Sequence, residues 1–167
     1  MKTTNNLFLI GFMGAGKSSV SAALGQKLGR AVVEMDQCIS ENEGMTIPEI
    51  FAQKGEPYFR TCETALLQGC AQGEPRIISC GGGVVKDPAN LRALHANGIV
   101  LFIDRPLEDL LVGGGRPLST SPEALKTMEA QRRPLYLAAA DAVIPNKTTP
   151  ADAVTAAMEA LDEIFSH

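Results

Sequence analysis

Eight consecutive residues, Gly11-Phe12-Met13-Gly14-Ala15-Gly16-Lys17-Ser18, constrain this chain more than any others. Their spacing is that of the phosphate-cradling loop G-x-x-x-x-G-K-[ST], a signal that gains weight only between a strand and a helix. Leu7-Phe8-Leu9-Ile10 precedes the loop as a short apolar run suited to a strand buried on both faces. Val20, Ala23, Leu24 and Leu28 follow at helical spacing, so the loop opens a helix. The first turn of a helix carries unpaired N–H groups and a partial positive charge, both suited to phosphate oxygens. Gly14 and Gly16 permit close backbone approach, Lys17 adds a full charge near the β- and γ-phosphates, and the Ser18 hydroxyl is placed to ligate Mg²⁺. With Ala15 and Ser19, these residues form the expected set for binding a nucleoside triphosphate. The alternative, a glycine turn before an ordinary helix, does not account for the strand, the lysine and the serine together.

The remaining apolar runs repeat the pattern. Strands are expected at 7–10, 31–35, 76–80, 99–103 and 141–145, and helices near 17–28, 36–42, 47–53, 56–71, 88–96, 106–112, 122–138 and 150–165. Such alternation predicts a three-layer α/β/α fold around a five-stranded parallel sheet. At 167 residues, the whole span 1–167 is expected to be one domain. Two connections break the rhythm. Some forty residues separate the second and third strands, and Thr46-x-x-Glu49, enclosing Ile47 and Pro48, is a capping box within them. Gly113-Gly114-Gly115-Arg116-Pro117 is a poor helix but a good hinge, and Ser121-Pro122 restarts a helix, which together suggest a charged flap.

Other classes are disfavoured by charge and cysteine usage. A net charge of −4 argues against a general binder of nucleic acids or membrane surfaces. The first residues lack the apolar core of a signal peptide, and no run is long enough for a membrane span. Cys38, Cys62, Cys70 and Cys80 show no C-x-x-C spacing, so reduced thiols in a cytoplasmic protein are expected rather than zinc or disulfides.

Several segments hold residues that could serve an acceptor. Glu34-Met35-Asp36 ends the second strand, where open α/β sheets place their ligands. One carboxylate is a candidate for the metal shell and the other for an acceptor hydroxyl, with a helix N-cap as the plain alternative for Asp36. Arg60 and Glu63 lie three apart on one helical face, as an anion-aiming pair or as a surface salt bridge. Gly81-Gly82-Gly83 after the third strand suggests close backbone approach by a ligand, against a loose turn. Arg132 and Arg133 sit late in the expected 122–138 helix, where dipole complementarity alone would account for them. Asp104 resembles a second metal-binding strand end, but a strand-to-helix turn before Pro106 is the favoured reading.

Taken in order, GFMGAGKSS, Asp36, GEPYFRTCE, CGGGVV, GRPL and RRPLY resemble the shikimate kinase family from Leu7 to about Pro150. The resemblance implies a P-loop kinase of the nucleoside monophosphate kinase type, with a substrate-binding excursion near 36–62 and a lid near 112–122. It implies transfer of the γ-phosphoryl of ATP, with Mg²⁺, to the 3-hydroxyl of shikimate in aromatic amino-acid biosynthesis. By the same resemblance Asp36 holds the acceptor hydroxyl, and Arg60 and Arg132 grip its carboxylate, with Arg133 as rival for the latter role. Gly82, with Gly81 and Gly83, clamps the ring hydroxyls; Arg116 closes over the phosphates; Lys17, Asp36 and Arg116 form the catalytic set. The partners expected are shikimate and ATP, and the chain is expected to act as a monomer.

Three positions depart from that pattern. Glu34 stands where the family usually has Asp, and is kept beside Ser18 in the metal shell. Arg116 is the only cation of the lid, and an adenine-side arginine is missing near Asn146–Pro150. The rival readings are a gluconate kinase, a GTP-dependent switch and a silent binding module. The first does not need two carboxylate-binding arginines. The second requires N-K-x-D, but Thr149 stands at its Asp position. The third should have lost its phosphate loop or Asp36.

Overall fold

The computed structural model describes residues 5–70, 72–112 and 121–166. Its strands are β1 (Asn6–Ile10), β2 (Val32–Glu34), β3 (Ile77–Ser79), β4 (Gly98–Asp104) and β5 (Ala142–Pro145). All neighbours are parallel, in the order β2-β3-β1-β4-β5. The helices are α1 (Lys17–Leu28), α2 (Met35–Glu43), α3 (Ile47–Lys54), α4 (Glu56–Gly69), α5 (Pro88–Asn97), α6 (Leu107–Val112), α7 (Pro122–Ala139) and α8 (Pro150–Phe165). The sequence-based spans hold to within a residue or two. β2 is shorter than 31–35 because Met35 already begins α2.

Side-chain alternation along β1 builds both layers of the core. Leu7 and Leu9 pack with Val20 and Leu24 of α1 and with Ala153, Ala157 and Leu161 of α8. Phe8 and Ile10 pack the other way, with Leu67 of α4, Leu94 of α5 and Tyr136 of α7. None of these four β1 side chains is exposed, as expected for a central parallel strand. The excursion α2–α3–α4 closes over a cluster of its own, in which Ile39, Ile50 and Phe59 are buried. Thr46 opens α3 as its sequence suggests: its Oγ1 accepts from the Glu49 N–H at 3.3 Å and donates to the Glu49 carboxylate at 3.0 Å. Ser121 likewise caps α7 through the Ala124 N–H at 3.1 Å.

This topology chooses where a ligand goes. The connection from β1 runs through α1 on one face toward β2, while that from β3 runs through α5 on the opposite face toward β4. The carboxyl ends of β1 and β3 therefore diverge at a switch point, the usual binding crevice of an open α/β sheet. The phosphate loop leaves β1 there, and Gly81–Gly83 leaves β3.

Candidate active site

The phosphate loop has the backbone its composition suggests. Gly14 and Gly16 have φ of 82° and 96°, values that side-chain-bearing residues rarely adopt. Gly16 is the N-cap of α1, and among the described residues no side chain caps this helix, which leaves its first-turn N–H groups for a ligand. The Lys17 ammonium donates to the carbonyls of Gly11 and Phe12. Burial pulls its pKa from 10.5 down to about 8, against the opposing pull of Cys80 and of the Asp36 and Glu34 carboxylates. Two further groups hold the loop that the sequence reading did not single out for this role. The Asn146 amide donates to the Ala15 carbonyl at 2.7 Å, and Arg105 donates to the Gly14 carbonyl at 2.9 Å. Asn146 follows β5, so its position beside the loop depends on strand order.

Two cavities meet beside this loop. One, of about 560 Å³, is lined by Gly14, Lys17, Ser18, Glu34, Asp36, Gly81 and Gly82, among others. The other, of about 190 Å³, is lined by Asp36, Phe59, Arg60, Glu63, Gly81, Gly82, Gly83 and Arg132, with Met13, Ile47 and Phe51. Asp36 belongs to both, as do Met13, Gly81 and Gly82. Asp36 is not an N-cap; Glu34 holds that position and Asp36 lies in the first turn of α2. Its carboxyl is open to the cavity, yet the enclosing walls raise its pKa above the ordinary 3.8, while Lys17 and Arg60 pull it down. Ser18 Oγ donates to Glu34 Oε2 at 3.1 Å.

The second cavity gathers the predicted acceptor residues. Arg60 donates through one terminal nitrogen to both oxygens of Glu63, at 3.1 and 3.3 Å, and pairs on its exposed side with Glu56. Glu63 is completely buried, which raises its pKa in spite of Arg60. This is a partly enclosed ion pair at the cavity wall and not a surface salt bridge.

The three glycines are the condition for this assembly. A Cβ on Gly81 would lie 2.9 Å from an Asp36 oxygen and 3.0 Å from a Glu63 oxygen. One on Gly83 would lie 2.6 Å from the Arg60 guanidinium, whereas one on Gly82 would only touch Arg132, at 3.4 Å. Gly81 and Gly83 thus make room for Asp36, Glu63 and Arg60, which a loose turn does not explain.

The two adjacent arginines occupy different faces of α7. Arg133 is engaged by the Asp104 carboxylate in a two-pronged pair at 2.7 and 2.9 Å and by Glu129 at 3.3 Å. Asp104 is therefore the anchor of an ion pair at the start of the turn to Pro106. Arg132 faces the glycine segment and lies 6.0 Å above the Phe12 ring. Dipole complementarity does not account for it, because α7 continues to Ala139 and its last turn has no cation. Tyr136, one turn further along, was missed from sequence: it is buried and donates to the Gly82 carbonyl, and burial pushes its pKa up to about 12. Residues 113–120, with Arg116 and most of the expected lid, lie outside the described residues.

A parallel sheet with a phosphate loop at its switch point, and a cation-lined pocket beside that loop, defines an ATP-dependent kinase of the P-loop type. The family model described as shikimate kinase matches residues 13–162. A shikimate kinase of Dehalococcoides mccartyi is 44% identical over 151 residues, covering 86% of this chain and 85% of the relative. The solved shikimate kinase from Acinetobacter baumannii in complex with shikimate superposes with a TM-score of 0.86 at 33% identity, covering 98% and 94% of the two chains. A gluconokinase from Sinorhizobium meliloti 1021 shares the fold alone, at 16% identity, a TM-score of 0.60, and coverage of 98% and 95%. The chain belongs to the shikimate kinase family.

Proposed function

We propose that this protein transfers the γ-phosphoryl group of ATP to the 3-hydroxyl of shikimate, a step of aromatic amino-acid biosynthesis. The observation that carries the reading is the position of Asp36 at the junction of the two cavities, with Lys17 and Ser18 on one side and Arg60 and Arg132 on the other. In this reading the loop amides and Lys17 hold the phosphates of ATP. Arg60, aimed by Glu63, and Arg132 bind the acceptor carboxylate, and the amides of Gly81, Gly82 and Gly83 bind ring hydroxyls. Asp36 accepts the hydroxyl proton as the new oxygen–phosphorus bond forms and the bond to the β-bridging oxygen breaks, releasing ADP. Arg116 balances charge developing on the transferred group, a role worth about 10³–10⁵ in rate where arginines perform it.

The oxygen set of Ser18 and Glu34, already hydrogen-bonded at the cavity wall, suits a hard divalent cation and would hold Mg²⁺ directly or through water. Mg²⁺ would supply charge neutralisation at the phosphates. We infer further that the chain acts as one domain and as a monomer in the cytoplasm, where free thiols such as those of its four cysteines persist. Among the described residues no helix is long and apolar enough to cross a membrane.

The test is turnover with MgATP and, in parallel, shikimate, gluconate and nucleoside monophosphates as acceptors. Shikimate is expected to be phosphorylated far faster than the others. Arg60→Ala is expected to raise mainly the acceptor KM and Arg116→Ala to lower mainly kcat. Preference for gluconate or a nucleotide, or the reverse kinetic pattern, would overturn the reading.

A further inference from the structure

We propose that Tyr136 is a positioning residue for the acceptor site: its hydroxyl holds the Gly82 carbonyl, and so the direction of the Gly83 N–H, and thereby sets acceptor affinity without touching the acceptor. The inference rests on the acceptor-site reading given above.

The argument begins with the carbonyls of the glycine segment. Those of Gly81 and Gly83 are engaged in the turn, accepting from the N–H groups of Val84 and Lys86, each at 3.1 Å. The Gly82 carbonyl has no such backbone partner and is taken by the Tyr136 hydroxyl. A trans peptide is planar and points its N–H opposite to its carbonyl. Holding the Gly81 carbonyl therefore orients the Gly82 N–H, and holding the Gly82 carbonyl orients the Gly83 N–H, away from α7. Among the described residues, none of the N–H groups of Gly81, Gly82 and Gly83 donates to a protein acceptor. Glycine peptides rotate at little cost, so the one side-chain bond from Tyr136 is a principal restraint on that plane.

Arg132, four residues earlier, lies on the same helical face, so the bond to Gly82 also ties the glycine segment to the helix that carries this cation. One buried group consequently fastens the turn after β3 to α7, beside the cation that α7 contributes. The ring cannot swing away: it is 1% exposed and lies 5.1 Å from the Phe102 ring, centroid to centroid, in tilted contact. Removing the oxygen alone leaves that packing intact while releasing the Gly82 peptide.

Tyr136→Phe is the decisive variant. It is expected to raise the shikimate KM about tenfold, the worth of one well-made hydrogen bond, with the ATP KM and kcat changed less than about twofold. The melting temperature should stay close to the parent's. In nitrogen–proton correlation spectra of the free protein, the Gly82 and Gly83 amide signals should broaden or split in Tyr136→Phe. An unchanged acceptor KM in Tyr136→Phe, beside raised values in Arg60→Ala and Arg132→Ala, overturns this inference and leaves the site reading standing. If neither arginine variant shifts the acceptor KM, the site reading falls and the inference falls with it.

Discussion

Nucleotide binding should draw a proton from solution at alkaline pH, and Lys17 should be its destination. In the free protein the enclosed ammonium has a pKa of about 8, with Cys80, two carboxylates and two carbonyls compensating its burial in part. Bound phosphates bring negative charge and should restore the pKa to the ordinary 10.5 or above. At pH 8.5 about a quarter of the free protein then carries the proton, against nearly all of the complex, so uptake is about 0.7 proton per ATP. At pH 7 the same arithmetic gives only about 0.1, and the dissociation constant should weaken roughly 30-fold between pH 7 and pH 9.5.

Titration calorimetry in two buffers of different ionisation enthalpy reads the uptake directly. Lys17→Arg provides the control, since a guanidinium does not titrate in this range and uptake should vanish. Stability follows the opposite sign. The unfolded lysine holds its proton more tightly, so the free protein should gain stability as pH rises from about 8 toward 10.5. Lys17→Met should accordingly stabilise the free fold at neutral pH, by at most about 3 kcal/mol. Uptake below about 0.2 proton at pH 8.5 would refute the claim that phosphate relieves a strained ammonium.

Three further outcomes are expected. Arg60→Ala leaves the wholly buried Glu63 carboxylate without its nearest cation and should cost about 3–5 kcal/mol, seen as a lower urea midpoint; adding Glu63→Leu should recover most of the stability but none of the acceptor affinity. Asp36→Asn should abolish most turnover with little change in melting temperature. In the parent, activity should fall as pH drops through a value above the ordinary aspartate range, because the enclosing walls favour the protonated carboxyl; an acid limb at or below pH 3.8 would contradict this. Gly83→Ala should fold, since the group its Cβ would strike is the tip of the Arg60 side chain, yet raise the acceptor KM selectively; parallel increases in both substrate KM values would show that the turn itself had been lost.

Much of this architecture was legible before any coordinates. Strand and helix periodicities, the phosphate loop and the capping signals at Thr46 and Ser121 are local, and local chemistry decides them within a few residues. What could not be read were the partners of side chains that meet only when the sheet is ordered. Nothing in Gln131-Arg132-Arg133 says which arginine Asp104 captures, because that depends on the rotation of α7 against β4. Asn146 and Arg105 hold the phosphate loop because β4 and β5 lie in order beside β1. Tyr136 gave no signal beyond its burial-prone type; its role exists only where α7 passes the turn after β3.

The sequence by itself determined that a nucleotide-binding loop would open a helix after a buried strand, since glycine dihedrals, helix-end N–H groups and a lysine charge need only nearest neighbours. Only the tertiary structure decided that Asp36, Arg60, Arg132 and three glycines would share one pair of cavities. They come from segments after three different strands, β2, β3 and β4, and the energy that brings them together is the burial of two apolar layers against the sheet, to which none of those polar groups contributes.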